Sequence, residues 1–465
     1  MKIVVLKYFL IVMVLLTSIN LNAADTKNQT WLAGVAKVNI TPSYQIWLAG
    51  YSSRTSPSTG KLTDLWAKAI FFEDSKGKQA VLVTSDLLGF PKNVSDNIRD
   101  RIEKQYGLLR DQVLLNSSHT HSAPVLENAL VDIYNMDETQ KEKVSVYSKA
   151  LEDKIVELVG MAMQSKKPAK IFTQNGATRF QVNRRNNKEA SLVEQTELKG
   201  PNDFAVPVLK VVDLKDNKLM AVAFGYSCHP TVLSLNEMSG DYAGFAQMEV
   251  EKAYPGVTAL FFQCTGADQN PLPRRTVGLA MQYGKTLFAT VERVLGEEMK
   301  ELSPSLTTSY SEIDLKLSTP PSKAELLKIQ TEASGYIKQW ATRMLGKIDN
   351  GEKLMTSYPY PVQVWKLGNQ VIVGLGGEVL VEYGINIKKM LGPDTFVLGY
   401  SNDVMAYIPS AKVLEEGGYE GETSQMVYGL PSKWDPSIEE SILNEVSRQA
   451  GHVIIHSGKK KTSAK

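Results

Sequence analysis

Short apolar runs that end in polar, chemistry-bearing residues recur along this chain, and stretches with helical spacing separate them. Residues 31–40 (WLAGVAKVNI) read as a first strand closed by Thr41-Pro42. Residues 67–73 (AKAIFFE) and 79–85 (QAVLVTS) read as two strands joined by a polar turn around Asp74 to Gly77. Residues 113–115, 169–174, 206–214, 220–226 and 258–263 supply further strands, whereas 94–105, 141–164, 244–253 and 277–296 carry helical periodicity. This alternation predicts an α/β fold of mixed β-sheets flanked by helices. Asp86, His119, His229 and Asp268 each fall just after a strand, where such folds build their sites.

The texture changes from Ser318. A double proline opens a charged helix expected to run to about Lys347, and its apolar positions Leu326, Ile329, Ile337, Trp340, Met344 and Leu345 recur at packing spacing. Residues 360–367 and 370–375 read as strands paired through a turn at Gly368-Asn369, with Gly376-Gly377-Glu378 closing the second. Residues 397–400 form another short strand. No internal repeat and no Ser/Pro linker divides the chain, so one domain is expected over residues 25–456, with a basic tail at 457–465.

The N-terminus pairs early lysines with an apolar run from Tyr8 to Leu16 and ends in Ala23-Ala24. This reads as a signal peptide over residues 1–24, and so a periplasmic or secreted protein. The run is too short to span a bilayer, which takes about 20 apolar residues, and no later run of that length follows. Lys+Arg 52 stand against Asp+Glu 50; without Lys2 and Lys7 the charges balance, which argues against a nucleic-acid partner. In an oxidising compartment Cys228 and Cys264 can pair, or serve as two buried thiols.

Only five histidines are present. His452 and His456 lie near the C-terminus and read as surface or packing residues. The other three form two tight motifs, His119-Thr120-His121 and Cys228-His229-Pro230, each at the end of an apolar strand. Residues two apart in extended chain face the same side, so His119 and His121 can share a site. Histidine is the commonest zinc ligand, and a catalytic zinc needs about three protein donors and an open position.

NSSHTHSAP resembles the metal motif of the neutral ceramidases, and the likeness continues in order along the chain. It runs through GVAKVNITP, WAKAIFFED with VLVTSDLLG, Asn183-Arg184, CHPTVLS with SGDYAGFA, QCTGADQNP, Gly377-Glu378 and SNDVMAYIPS with GGYEG, from residue 31 to about 430. The resemblance implies one zinc ion per chain held by His119, His229, Glu378 and Tyr407, and a zinc-dependent hydrolase that cleaves an amide (N-acyl) or related bond. It implies that His121 backs the ligands or touches substrate, that Arg184 binds a polar or anionic substrate group, and that Tyr419 either donates a hydrogen bond in the pocket or simply packs. Arg185 reads as a surface residue. Asp86 and Asp241 either orient a metal-bound histidine or cap a loop or helix.

The chain departs from the family in two places. Asn270 stands where the ceramidases carry a presumed serine nucleophile, in the loop Gly266 to Pro271 that also holds Asp268. Asparagine cannot form an acyl-enzyme but can donate a hydrogen bond to an oxyanion, and Thr265 is displaced from the motif. Attack by zinc-activated water is therefore expected. The stretch from Gln425 to Lys465 is also shorter than the roughly 100 residues of a β-sandwich, so the family's C-terminal sandwich is not expected within this chain. Small-molecule, lipid and saccharide substrates remain in view. One alternative is hydrolysis of a glycosidic bond in a saccharide or cell-wall fragment, with Asp268, Asp241 or Glu378 as acid/base groups. Another is a non-catalytic binding protein on the same scaffold. The charged segment after Ser318 favours a small polar substrate over ceramide.

Overall fold

The structure is a computed structural model that describes residues 30–458. The expected signal peptide and most of the basic tail lie outside the described residues, as does the side chain of His456. Eight strands build the main sheet: β1 (Trp31–Asn39), β2 (Trp66–Glu73), β3 (Gln79–Ser85), β4 (Val113–Ser117), β5 (Lys167–Ala177), β6 (Ala205–Asp213), β7 (Leu219–Tyr226) and β8 (Thr258–Gln263). Their order is β8-β7-β6-β5-β1-β2-β3-β4, and a two-residue strand, Lys300–Glu301, adds to β5. The two outermost pairs, β3 with β4 and β7 with β8, are parallel; the inner pairs are antiparallel. A second sheet holds β9 (Leu306–Lys316), β10 (Ser357–Leu367), β11 (Gln370–Leu375) and β12 (Phe396–Leu398) in that order, its last pair parallel.

Strand alternation sorts the apolar residues into layers. Phe71, Val81, Val83 and Leu115 meet α1 (Lys92–Tyr106) and α2 (Glu138–Gln164). Val208, Phe224 and Phe261 meet α3 (Asp241–Ala253) and α4 (Val277–Gly296). The opposite face of the main sheet, with Phe72, Leu82, Leu114 and Phe262, packs on Trp365, Ile372 and Phe396 of the second sheet. The outer face of that sheet buries Val362, Val364 and Val373 under α7 (Val381–Leu391) and α8 (Ile438–Gly458).

Three elements differ from the sequence reading. The charged helix is two helices, α5 (Lys323–Glu332) and α6 (Gly335–Asp349), because Gly335 takes a left-handed φ of 59° at the junction. Strand β9 went unread because few of its residues are apolar and Glu312, Asp314 and Lys316 are exposed, and α8 covers a segment of the domain to which no element was assigned. Cys228 and Cys264 are both free and buried, which selects the second of their two readings.

The edge strands of the main sheet come together at one side chain. Asn116, fully buried in β4, accepts from the Gln263 amide at 2.8 Å and donates to Gln263 O at 3.3 Å in β8. It also donates to Gly399 O at 2.8 Å, just beyond β12. The C-terminal ends of β4 and β8 and the loop after β12 therefore meet at one place.

Candidate metal centre

His119 follows β4 with a left-handed φ of 66°, a conformation that non-glycine residues rarely hold without a surrounding structure that enforces it. Its Nδ1 donates to Leu88 O at 2.6 Å, which turns Nε2 inward. His229 follows β7; its Nδ1 is bound to Gly266 O at 3.0 Å, so its Nε2 also points inward. Backbone carbonyls thus orient both rings, and no carboxylate does.

Glu378 follows β11, and its Oε2 lies 3.1 Å from Nε2 of both His119 and His229. His121 Nε2 lies 3.2 Å from His119 Nε2. The donor nitrogens of the three histidines all fall within 4.8 Å of one another. His119, His229, Glu378 and Tyr407 are 0%, 0%, 2% and 3% exposed, so these groups converge away from solvent. Burial pushes His229 down to about 4, with Arg184 and His119 reinforcing the shift against Glu378. Burial and the two neighbouring imidazoles hold His121 well below the usual histidine range. Burial works against the Glu378 charge, but the adjacent histidines outweigh it and hold the carboxyl well below its ordinary value.

A neutral His121 and His229 beside an ionised Glu378 are protonation states that suit a divalent metal. His229 Nε2 and Glu378 Oε2 are buried without a hydrogen-bond partner, so the site has donors that the protein leaves unsatisfied. The group is compatible with a metal ion.

The sequence profile described as "Neutral/alkaline non-lysosomal ceramidase, N-terminal" matches residues 31–271, just over half of the chain. The chain belongs to that family. Neutral ceramidase of Drosophila melanogaster is 26% identical over 238 residues, 48% of this chain and 32% of that protein. Neutral ceramidase A of Dictyostelium discoideum is 29% identical over 207 residues, 42% of this chain and 28% of its own. The alignments thus span about a third of these relatives' length. The solved neutral ceramidase of Pseudomonas aeruginosa superposes with a TM-score of 0.71 at 19% identity, covering 94% of this chain and 76% of that one. A ceramidase complexed with C2 gives 0.70 at 18% identity, covering 94% and 77%.

In this ceramidase-family chain the remaining sequence-predicted residues divide into two groups. Tyr407, Arg184 and Asn270 are brought to the histidines' neighbourhood. The Tyr407 ring stacks parallel to His229 at 6.4 Å, and Arg184 Nη2 donates to its hydroxyl at 3.1 Å. Arg184 Nε donates to Glu420 at 2.7 Å and Nη1 to Asn270 Oδ1 at 3.4 Å. Burial opposes the Arg184 charge, but Tyr407 and Glu420 hold it well above its ordinary value. Asn270 lies on a short strand, Gln269–Pro271, paired with Gln181–Asn183, which sets it beside Arg184. The Tyr419 ring packs edge-on against Tyr407 at 5.3 Å while 43% exposed, so it forms an outer wall.

The carboxylates Asp86, Asp241 and Asp268 each accept hydrogen bonds from protein N–H groups. Asp86 accepts from the Trp66 amide and from Gln247, and Asp241 from the amides of Val232, Leu233 and Tyr242. Asp268 accepts from Asn183 at 2.9 Å and from the Val381 amide at the start of α7 at 3.0 Å. Thr265 is buried, and a Cβ on Gly384 of α7 would stand 2.2 Å from its hydroxyl, so it packs on that helix. Arg185, read as a surface residue, is instead clamped between Glu416 and Glu420.

Sequence reasoning missed Glu420, Tyr400 and Tyr428. Tyr400 lies 4.5 Å from the His119 ring with a φ of 51°, and Tyr428 donates to Glu378. A Tyr beside a strand end or at the end of a short helix carries no spacing signal, so only the fold exposes them.

Proposed function

We propose that this chain is a secreted, zinc-dependent hydrolase that cleaves an N-acyl amide bond with activated water, with residues 25–456 acting as one catalytic unit. The observation that carries this reading is the convergence of His119, His229 and Glu378 on one buried point with unsatisfied donors. His119, His229, Glu378 and Tyr407 would hold the ion. When bound, zinc supplies Lewis acidity that polarises the scissile carbonyl and acidifies the attacking water.

The chain's own residues do the rest. Asn270 gives its oxygen to Arg184, which leaves Nδ2 to donate to the developing oxyanion. Arg184, locked by Glu420, holds a polar group of the substrate through its outward edge. His121, neutral and with Nδ1 unpartnered, takes up a proton beside the reacting atoms. Asn270 at the serine position, with Thr265 turned to α7, supports direct attack by water over an acyl-enzyme.

A glycosidase needs a pair of available carboxyl groups. Asp241 and Asp268 have both oxygens committed to protein N–H groups, which favours the amide reading over the saccharide one. Retention of the whole donor set favours an enzyme over a binding protein. Family membership supports an N-acylated amphiphile as substrate class. The α5–α6 hairpin buries Leu326, Trp340, Met344 and Leu345 in its own small core, which supports a substrate shorter and more polar than ceramide. The test is to assay zinc-loaded protein with detergent-dispersed ceramide and with short N-acyl amino sugars, N-acyl peptides and glycosides. Release of free amine from the short N-acyl compounds is expected. Turnover of glycosides alone would sink the amide reading, and turnover of ceramide alone would sink the preference for polar substrates.

A further inference from the structure

Tyr428 ends a short helix, Ser424–Tyr428, that Gly429 caps with a left-handed φ of 80°. Its hydroxyl donates to Glu378 Oε1 at 2.5 Å. The other oxygen, Oε2, has no hydrogen-bond partner and lies 3.1 Å from both histidine Nε2 atoms. The two oxygens of one carboxylate are therefore treated differently: one is anchored in protein and the other is presented to the site. The Tyr428 ring touches three separate hydrophobic cores, so it cannot follow the carboxylate if the carboxylate turns.

Tyr428 is itself held from α6. Arg343 Nη2 donates to Gly429 O at 3.1 Å, and the same guanidinium pairs with the buried Asp132 through Nε at 2.8 Å and Nη2 at 2.5 Å. A Cβ on Gly429 would stand 2.4 Å from Arg343 Nη2, so this approach needs glycine. Leu88, Arg343, Tyr428 and Gly429 share the wall of a cavity of about 250 Å³. Leu88 O receives His119 Nδ1, so one wall of the fold orients both His119 and Glu378.

We propose that Tyr428 is a positioning residue that makes Glu378 a single-oxygen metal donor, and that Arg343 keeps Tyr428 in register. The inference rests on the reading of Glu378 as a ligand. An ionised carboxylate can offer one oxygen or two; occupying Oε1 with a strong O–H donor removes the second mode and fixes the rotation of the group. Loss of such an outer partner typically weakens metal binding about 10- to 100-fold.

The test uses Tyr428→Phe, which keeps the ring and removes only the hydroxyl. Zinc affinity of the metal-free full chain is measured by chelator competition, the metal-free melting temperature is recorded, and the visible spectrum of the cobalt-loaded protein reports donor geometry. The expected result is zinc binding about 10- to 100-fold weaker, an altered cobalt spectrum and an unchanged metal-free melting temperature. In a Glu378→Ala background, which removes the acceptor, the same substitution is expected to add nothing. A lower metal-free melting temperature with an effect that persists in Glu378→Ala would show packing alone and overturn the proposal. Unchanged zinc affinity in Tyr428→Phe while His229→Ala loses zinc would overturn it and leave the metal reading standing. Unchanged affinity in both variants would bring down the ligand assignment and the proposal with it.

Discussion

Glu378 and Tyr407 are register partners in a two-residue parallel strand pair, Glu378–Val379 against Tyr407–Ile408. The Glu378 amide donates to Ala406 O at 2.8 Å, so backbone pairing sets the spacing of the two side chains. A carboxylate and a phenol from distant parts of the chain thus reach the histidines on one small rigid element, and rigid elements hold site geometry better than free loops.

Metal content should depend on the buried histidines. Elemental analysis of purified protein is expected to find about one zinc per chain, and His229→Ala is expected to lose at least about tenfold in affinity, since it removes one of few donors. Equal zinc content in wild type and variant would dismiss the assignment.

Removal of the Asn116 carboxamide should destabilise the chain. Asn116→Ala would strand the buried Gln263 amide, whereas Gly399 O would keep Ser401 Oγ as a donor, for a loss of about 1–3 kcal/mol. Denaturant titration reads this directly. A loss below about 1 kcal/mol would mean that the bridge between the sheet edges carries little.

Catalysis should not pass through Thr265. Thr265→Val, which preserves the shape against Gly384, is expected to keep kcat within about twofold of wild type, because a group outside the reacting atoms contributes no transition-state stabilisation. Single-turnover kinetics should show no burst. A covalent adduct mapped to Thr265 would refute direct attack by water.

Stability should carry a pH signature from Asp403. Burial pushes this carboxyl up to about 7, against the lowering effect of the Tyr358 hydroxyl at 2.7 Å. The folded chain then holds the Asp403 proton more tightly than the unfolded chain, so this stabilising contribution is complete below the unfolded value near 3.8. It is lost as pH rises through about 7. Asp403→Asn keeps an acceptor for Tyr358 without the titration. Thermal melts at pH 5 and pH 8 are expected to show the variant gaining on wild type at the higher pH, by at most about 4 kcal/mol. A constant difference between the two across that range would contradict the assignment.

Much of the fold was legible because strands β2, β3, β7 and β8 carry continuous apolar runs and α4 carries clean helical spacing. Strand β9 was not, since one polar face pairs with solvent-side neighbours and its sequence alternates weakly. The histidine motifs stood out because this chain has so few histidines, while the role of Asp268 stayed open between chemistry and support. Its partners, Asn183 and the Val381 amide, come from distant segments, and no local pattern announces them.

By itself the sequence determined most of the strands and helices and where those strands end, with His119, His229 and Glu378 at such ends. These follow from local periodicity and short-range backbone preference, which need no knowledge of the partner segment. The tertiary structure alone decided which strand ends meet, because Asn116 joins two sheet edges that are far apart in the chain. It also decided which protein N–H groups Asp86, Asp241 and Asp268 accept from, that His121 joins the buried cluster, and that Tyr428 grips Glu378. Hydrogen-bond satisfaction in a buried site is a property of all surrounding segments at once, so it is settled only when the chain has closed around them.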